Sequence, residues 1–344
     1  MSERVQQLSK MIEDEAKHIN SCFDFKPLEA KSVLITGASG LVGIYFLACL
    51  SELSKSIDKL KVYAVIHSEP TDFIMPFVSS NKIEMLRGDL AEDNFLKNLP
   101  KVDIIIHSAG YSQPTVFMGD PIKSIRLNTV ATLNLFGKLN EGGKFLFLSS
   151  SEVYNGVETE EYFEDVIGNT NTTHPRACYI EGKKTGETIC NSYGQQGVNV
   201  SSVRLSLTYG PGMKLNDTRV VPSLIQKGIV GPIEMLDAGE AKRTFCYIAD
   251  AVEMMWHIVL HGKQKIYNVG GISSMTIKQL AEIIAKHMHV TLKAPTINSA
   301  ILGAPKNVFL NMDRIFSEYY KKPFVDIDEG LQRTIKWYKR LANE

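Results

Sequence analysis

An apolar run, Phe145 to Leu148, passes directly into Ser149, Ser150, Ser151 and Glu152, followed by Val153 and Tyr154. A short, continuously apolar segment fits a strand buried on both faces of a parallel sheet, and the C-terminal ends of such strands face the ligand crevice in open α/β folds. Three hydroxyls and a carboxylate there would meet a ligand; a polar turn after a core strand is the alternative. Tyr179 and Lys183 form a second group, four residues apart and therefore on one helical face. An ammonium beside a phenol favours the phenolate and makes the tyrosine a usable base near neutrality. The bare spacing also recurs by chance, so the surrounding elements must decide.

Those elements alternate. Residues 31–43 read as a strand ending at Thr36, a turn built on Gly37, Ser39, Gly40 and Gly43, and the start of a helix that runs from Leu41 and Val42 through Leu50. This is a dinucleotide-binding turn: glycines keep it tight and let the backbone approach a pyrophosphate, which sits on the helix N-terminus. The next strand, Lys61 to Ile66, ends in His67, Ser68 and Glu69, where an acid for the ribose hydroxyls or an arginine for a 2′-phosphate is customary. Glu69 suits NAD if the turn is displaced, while His67 and Ser68 tolerate NADP; the balance leans to NAD. A third strand leads to Asp89 and Leu90, with the aspartate able to accept from an adenine amino group. A fourth leads to His107, Ala109 and Gly110, whose small residues let a dinucleotide lie close. His107 reads as a packed or orienting histidine. Helical periodicity spans Asp120 to Leu139, with Asn128 in the middle and Gly142-Gly143 as its stop.

After the strand Val200 to Leu205, the pattern loosens into a loop carrying Asn216, Asp217 and Arg219, then Arg243. Guanidinium forks there are suited to a diphosphate. The expected boundaries are an N-terminal helical extension over 1–30, a dinucleotide-binding domain over 31–205 to which 245–270 returns, and a substrate subdomain from 206–244 and 271–344. A final helix, Leu331 to Leu341, is expected to pack on that subdomain. The fold class is α/β: a Rossmann-like doubly wound parallel sheet with a smaller C-terminal substrate-binding α/β subdomain.

Composition narrows the partners. Thirty-eight basic and 38 acidic residues balance, so no electrostatic footprint points to nucleic acid or an anionic membrane. Five scattered cysteines with no C-x-x-C argue against a disulfide framework or zinc knuckle, and a reducing cytoplasm is the expected compartment. No 18-residue apolar run spans a bilayer, and the first 20 residues are too charged for a signal peptide. His257 and His261 have metal-ligand spacing without a third ligand cluster, so no metal is assigned.

The glycine turn, Asp89-Leu90, Asn128, the serines before Val153-Tyr154, the Tyr179/Lys183 pair and Arg204 with Tyr209-Gly210-Pro211 together resemble the extended short-chain dehydrogenase/reductase family over about residues 31 to 290. The resemblance implies a nucleotide-sugar enzyme with bound NAD. It makes Tyr179 the base at the sugar 4-hydroxyl while hydride leaves C4. Lys183 becomes the ribose anchor that tunes Tyr179, Ser150 the partner hydroxyl, and Asn128 a support of the site. It also implies a homodimer through the helices around Asn128 and Tyr179. A C4 ketone opens epimerisation, 4,6-dehydration and decarboxylation. Glu152 tilts the choice, because Ser150-Ser151-Glu152 is similar to the Thr-Ser-Glu of UDP-glucuronate decarboxylases and GDP-mannose 4,6-dehydratases. The loop from Asn216 to Arg219 is similar to a decarboxylase loop, and Ser151 stands where dTDP-glucose 4,6-dehydratases carry aspartate. Leu207 replaces an asparagine common in these relatives. The leading expectation is a decarboxylase; the alternatives are a 4,6-dehydratase, a 4-epimerase, or a non-catalytic NAD(P)-binding protein.

Overall fold

The computed structural model describes residues 2–296 and 307–342. Six parallel strands, β1 (Ser32–Thr36), β2 (Lys61–Ile66), β3 (Ile83–Arg87), β4 (Val102–His107), β5 (Leu139–Ser150) and β6 (Asn199–Leu205), are joined at the edge by Ile266–Val269. Their spatial order is 3-2-1-4-5-6 followed by Ile266–Val269, every pair parallel, so the direction of winding reverses between β1 and β4. That reversal opens a crevice outside the carboxyl ends of the two strands. Register brings those ends level: Thr36 pairs with His107, His107 with Phe147, and Ser149 with Arg204. The strands are long apolar runs because helices cover both faces, and Val33, Ile35, Ile105, Ile106, Phe145 and Leu146 are fully buried.

A smaller sheet lies beyond. Lys242–Tyr247 is its centre, with Leu207–Tyr209, Ser273–Thr276 and Asn307–Val308 around it, and a separate pair joins Ile233–Glu234 to Leu292–Lys293. The terminal helix, Ile327–Ala342, ties this region to the loop before Arg219: the Trp337 indole donates to the Met213 carbonyl at 2.9 Å and the Tyr338 hydroxyl to that of Lys214 at 2.9 Å.

The N-terminal helix is amphipathic, Glu3–Ser21, and buries Val5, Leu8, Ile12, Ala16 and Ile19. It packs within its own chain. Its Glu15 carboxylate accepts from the hydroxyls of Tyr45 and Tyr247, each at 2.5 Å, and from Arg333 at 3.1 Å, which links the glycine-turn helix, the small sheet and the terminal helix.

One helical expectation is revised. The segment expected as a single helix over 120–139 forms Pro121–Asn128 and Val130–Phe136, meeting at Thr129, and the chain enters β5 at Leu139. Thr129 and Thr132 donate their hydroxyls back to the carbonyls of Ile125 and Asn128, each at 2.8 Å, a pattern that bends helices. Gly142 and Gly143 therefore sit inside the strand, Gly142 at φ +72°, where the register with β4 shifts.

Candidate active site

The turn after β1 is shaped to admit a flat, charged group against bare backbone. Gly37 has φ +68°, and a Cβ there would come within 2.8 Å of the Ala109 backbone, so the loop after β4 lies directly on the turn. At Gly43 an added Cβ would meet the Gly37 carbonyl at 2.2 Å, which fixes how closely the helix Leu41–Leu53 sits over the turn. Gly40 caps that helix with no side-chain hydrogen bond, so its first N–H groups remain directed outward, as an anion-binding helix terminus requires. Ser39, Leu41 and Val42 are half-buried along this edge.

His107 holds the two strand ends together. Its ring contacts the Thr36 hydroxyl at 2.7 Å through Nδ1 and the Leu127 carbonyl at 3.2 Å through Nε2. A carbonyl only accepts, so Nε2 carries the proton and Nδ1 accepts from Thr36, whose oxygen in turn accepts from the Ala109 N–H at 3.2 Å. Complete burial, with Lys183 nearby, drops the imidazole pKa to about 3, so the ring is neutral. Beside it Asn128 donates to the Ser124 carbonyl at 2.8 Å while its Oδ1 is buried without a protein partner. A Cβ on Gly110 would lie 3.5 Å from that Oδ1 and 3.6 Å from Lys183 Nζ, so the amide and the ammonium face one space next to the turn.

On the adenosine side, the Asp89 carboxylate is engaged by Lys123 at 2.5 Å and by the Ala91 N–H at 2.9 Å. Burial works to raise its pKa, but those bonds outweigh it and hold the group below the usual carboxylate range. Adenine would therefore share Asp89 with Lys123, and Leu90 beside it is buried. His67 follows β2, 64% exposed and 3.9 Å from Asp89, while Glu69 turns away to pair with Arg87.

The catalytic candidates converge on the helix Ala177–Gln195. Tyr179 is buried, its ring stacked on Phe117 with centroids 4.6 Å apart, and its hydroxyl hydrogen-bonds Ser150. Ser150 also accepts from the Glu152 N–H at 3.2 Å, opening the short turn Ser151–Tyr154, in which Ser151 is half-buried. Lys183 donates to the Leu148 carbonyl at 2.6 Å and lies 5.7 Å from the Tyr179 ring centre. Burial lowers its pKa to about 7, against the attraction of Glu187. The phenol moves the other way from the expectation for a Tyr/Lys pair: burial pushes it up to about 12, with Glu152 adding to the rise and the Ser150 bond, Arg219 and Arg176 opposing it. Spacing alone does not make the base. A low-dielectric pocket costs the phenolate more than these neighbours return.

Glu152 meets a residue the sequence reading passed over. Arg176, only 7% exposed at the N-cap of the Tyr179 helix, donates to Glu152 Oε1 at 2.5 Å. Arg243 approaches the same pair: burial lowers its pKa, Glu152 opposes that and Arg176 reinforces it. Arg243 thus lies close enough to this pair to feel both charges. Arg219 spends its fork on Asp217, with bonds of 2.6 to 3.1 Å, close enough to Tyr179 to favour the phenolate. Phe117, also missed, belongs to a segment bonded to the Arg219 loop: Gln113 Oε1 accepts from the Thr218 N–H at 3.0 Å. A phenylalanine in the short helix Pro114–Gly119 carries no sequence signal for stacking on a tyrosine 62 residues away. The Arg176 signal was its i,i+3 spacing to Tyr179, whereas its acidic partner is 24 residues distant.

Among the described residues, His18, Cys22 and Glu253 have ligand atoms within 4.8 Å of one another. The Glu253 carboxylate is already taken up by Lys321 at 2.9 Å and Tyr319 at 2.7 Å. His257 stacks on Tyr319, with centroids 4.8 Å apart. No helix among the described residues is long and apolar enough to cross a membrane.

Comparison with known proteins matches residues 33–270 to the model of the NAD dependent epimerase/dehydratase family. Among curated relatives, UDP-glucuronic acid decarboxylase 1 of Xenopus tropicalis is 29% identical over 315 residues, covering 91% of this chain and 73% of the relative. UDP-glucuronic acid decarboxylase 6 of Arabidopsis thaliana is 30% identical over 255 residues, 73% of each. Among solved structures, UDP-glucuronic acid 4-epimerase from Bacillus cereus, in complex with UDP-glucuronic acid and NAD, superimposes with a TM-score of 0.76 at 22% identity, over 90% of this chain and 99% of that one. A dTDP-glucose 4,6-dehydratase double mutant from Streptomyces venezuelae, with NAD bound, gives 0.75 at 19% identity, over 89% and 96%. At these identities the structural likeness establishes the fold.

Proposed function

The chain belongs to the NAD dependent epimerase/dehydratase family, and on that premise we propose that it oxidises a nucleotide sugar at C4 with bound NAD and then decarboxylates it, the substrate being a nucleotide uronate such as UDP-glucuronate. The observation that carries this reading is the convergence of Tyr179, Ser150 and Lys183 beside the glycine turn, with Glu152 and its guanidinium neighbours next to the phenol.

The residues present fit the cofactor. Gly37, Gly40 and Gly43 leave room for a pyrophosphate on the helix that begins at Leu41, while Asn128 and Lys183 face the space beyond. When bound, NAD takes up and returns the C4 hydride. The chain handles the proton: Tyr179 accepts it from the 4-hydroxyl, with Ser150 holding the phenol oxygen in line. With its pKa pushed up to about 12 the phenol is protonated near neutral pH, so positive charge must arrive with the ligands to populate the phenolate, and Lys183 is placed to bond a ribose hydroxyl and add its own. Once C4 is a ketone, a C6 carboxylate is a β-keto acid; the C5–C6 bond breaks, the carboxylate leaves as carbon dioxide, and the electron pair of that bond remains as an enolate, protonated at C5 by a solvent water that the free Glu152 Oε2 orients. Arg243 and Arg176 favour a substrate anion here, and decarboxylase relatives at 29 and 30% identity support the same choice.

One observation favours a second reading, 4,6-dehydration. Glu152 Oε2 is buried without a protein partner, a suitable acceptor for a C5 proton. Product mass separates the reactions. Incubating the protein and NAD with UDP-glucuronate and with several nucleotide hexoses should give loss of carbon dioxide from the uronate; loss of water from a hexose, or an isomer of unchanged mass, sinks the decarboxylase reading. Tyr179→Phe should lower turnover on the order of 100-fold or more, and near-full activity would remove the proposed base.

We further propose a homodimer. Ile122, Ile125 and Leu133 are 68%, 40% and 48% exposed along the helices that flank the Tyr179 helix, a stripe suited to a second copy. Light scattering at micromolar concentration should give twice the chain mass; a monomer counts against it.

A further inference from the structure

We propose that Arg176 is a positioning residue that locks Glu152 onto the helix carrying Tyr179, so that the carboxylate and the phenol move as one unit. The inference rests on the reading that Glu152 acts at C5/C6.

Arg176 is the N-cap of Ala177–Gln195, and its carbonyl accepts from the N–H groups of Tyr179 and Ile180, each at 3.1 Å. Its own N–H donates to His174 Nδ1 at 3.2 Å, which ties the turn entering the helix. The guanidinium is therefore anchored to the same first helical turn as the phenol, three residues apart. Its Nη1 bonds Glu152 Oε1 at 2.5 Å, across from the end of β5. Both partners keep one group in reserve: Glu152 Oε2 and Arg176 Nε are buried without protein partners. A purely structural pair would saturate these atoms, since a buried polar group left unpaired costs about 1–3 kcal/mol. Holding one carboxylate oxygen and leaving the other bare presents a single acceptor to the substrate in a set direction.

Positioning predicts a split between the half-reactions. Arg176→Ala should lower turnover by about 100-fold, the scale of a misplaced catalytic group, while cofactor affinity stays near wild type and the thermal midpoint falls only a little, because the Glu152 side chain is 23% exposed and can be hydrated. Because Arg176 is the last and weakest of the named influences on the Tyr179 phenol, C4 oxidation should survive its loss, and single-turnover absorbance should show reduced nicotinamide building up in Arg176→Ala and not in Tyr179→Phe. Guanidinium ion added in solution should restore a measurable part of the lost turnover, and Arg176→Lys should retain more activity than alanine. Unchanged turnover overturns the proposal. So does lost turnover accompanied by a large fall in melting temperature and no guanidinium rescue, which marks Arg176 as a fold support. Failure of the functional reading is seen separately, in wild-type protein that releases no carbon dioxide from UDP-glucuronate.

Discussion

Two acid–guanidinium pairs flank the end of β5, and they are built differently. Glu187 and Arg204 face each other with side chains 5% and 3% exposed, and every group is used. Arg204 gives Nε and Nη2 to the carboxylate at 2.8 to 3.3 Å and Nη1 to the Tyr154 hydroxyl and the carbonyls of Glu164 and Val166 at 2.9 to 3.0 Å. Ser149 completes Glu187 at 2.5 Å, and Tyr154 passes the chain on to Asn268 at 2.7 Å. Glu152 and Arg176 share one short bond, and each retains a buried atom with no protein partner. Consecutive serines on one strand serve the two pairs, Ser149 on the structural side and Ser150 on the reactive side. Both of their partners lie on the helix Ala177–Gln195, where Glu187 follows Tyr179 by eight residues, so the consecutive serines reach different turns of one helix. A saturated pair fixes the strand, and an unsaturated one is left to meet a ligand.

The largest effect should come from breaking the saturated pair. Arg204→Ala leaves the buried Glu187 carboxylate with the Ser149 hydroxyl but without its guanidinium and should destabilise by about 3–5 kcal/mol in denaturant unfolding. A loss under 1 kcal/mol would mean the network is not the anchor its geometry indicates. Glu152→Gln should invert the pattern, costing about 1 kcal/mol of stability and on the order of 100-fold in turnover. Equal losses in both assays would erase the distinction between the pairs.

His107 sharpens the comparison from the neutral side. Its folded pKa of about 3 lies below its ordinary 6.5, so acid protonates the unfolded chain first. Its contribution to stability is complete above pH 6.5 and is lost as the pH falls toward 3. Replacing it with asparagine should flatten that part of the stability–pH curve, and an unchanged slope would place the acid sensitivity elsewhere.

Much of this was legible because its cause is local. The glycines of the turn, the helical spacing of Tyr179 and Lys183, and the apolar run into Ser149 each depend on a few neighbouring residues. Thr129 shows the limit of periodicity: the apolar spacing through Leu135 reads as one helix, whereas hydroxyl bonds back to the chain divide it at Thr129. The phenol shows the limit of pairwise chemistry, since burial outweighs its neighbours.

The sequence by itself determined the strand–turn–helix that meets a dinucleotide, the alternation of the sheet, and which residue types stand at the strand ends. Tertiary structure alone decided which carboxylate met which guanidinium. Glu152 and Arg176 are 24 residues apart, Arg204 and Glu187 17, and Glu15 and Tyr247 232. Partner choice at such separations depends on strand order and helix packing, and no local pattern encodes it. The three serines and the glutamate after Leu148 are therefore divided by the fold: Ser149 supports the strand through Glu187, while Ser150 and Glu152 face the phenol.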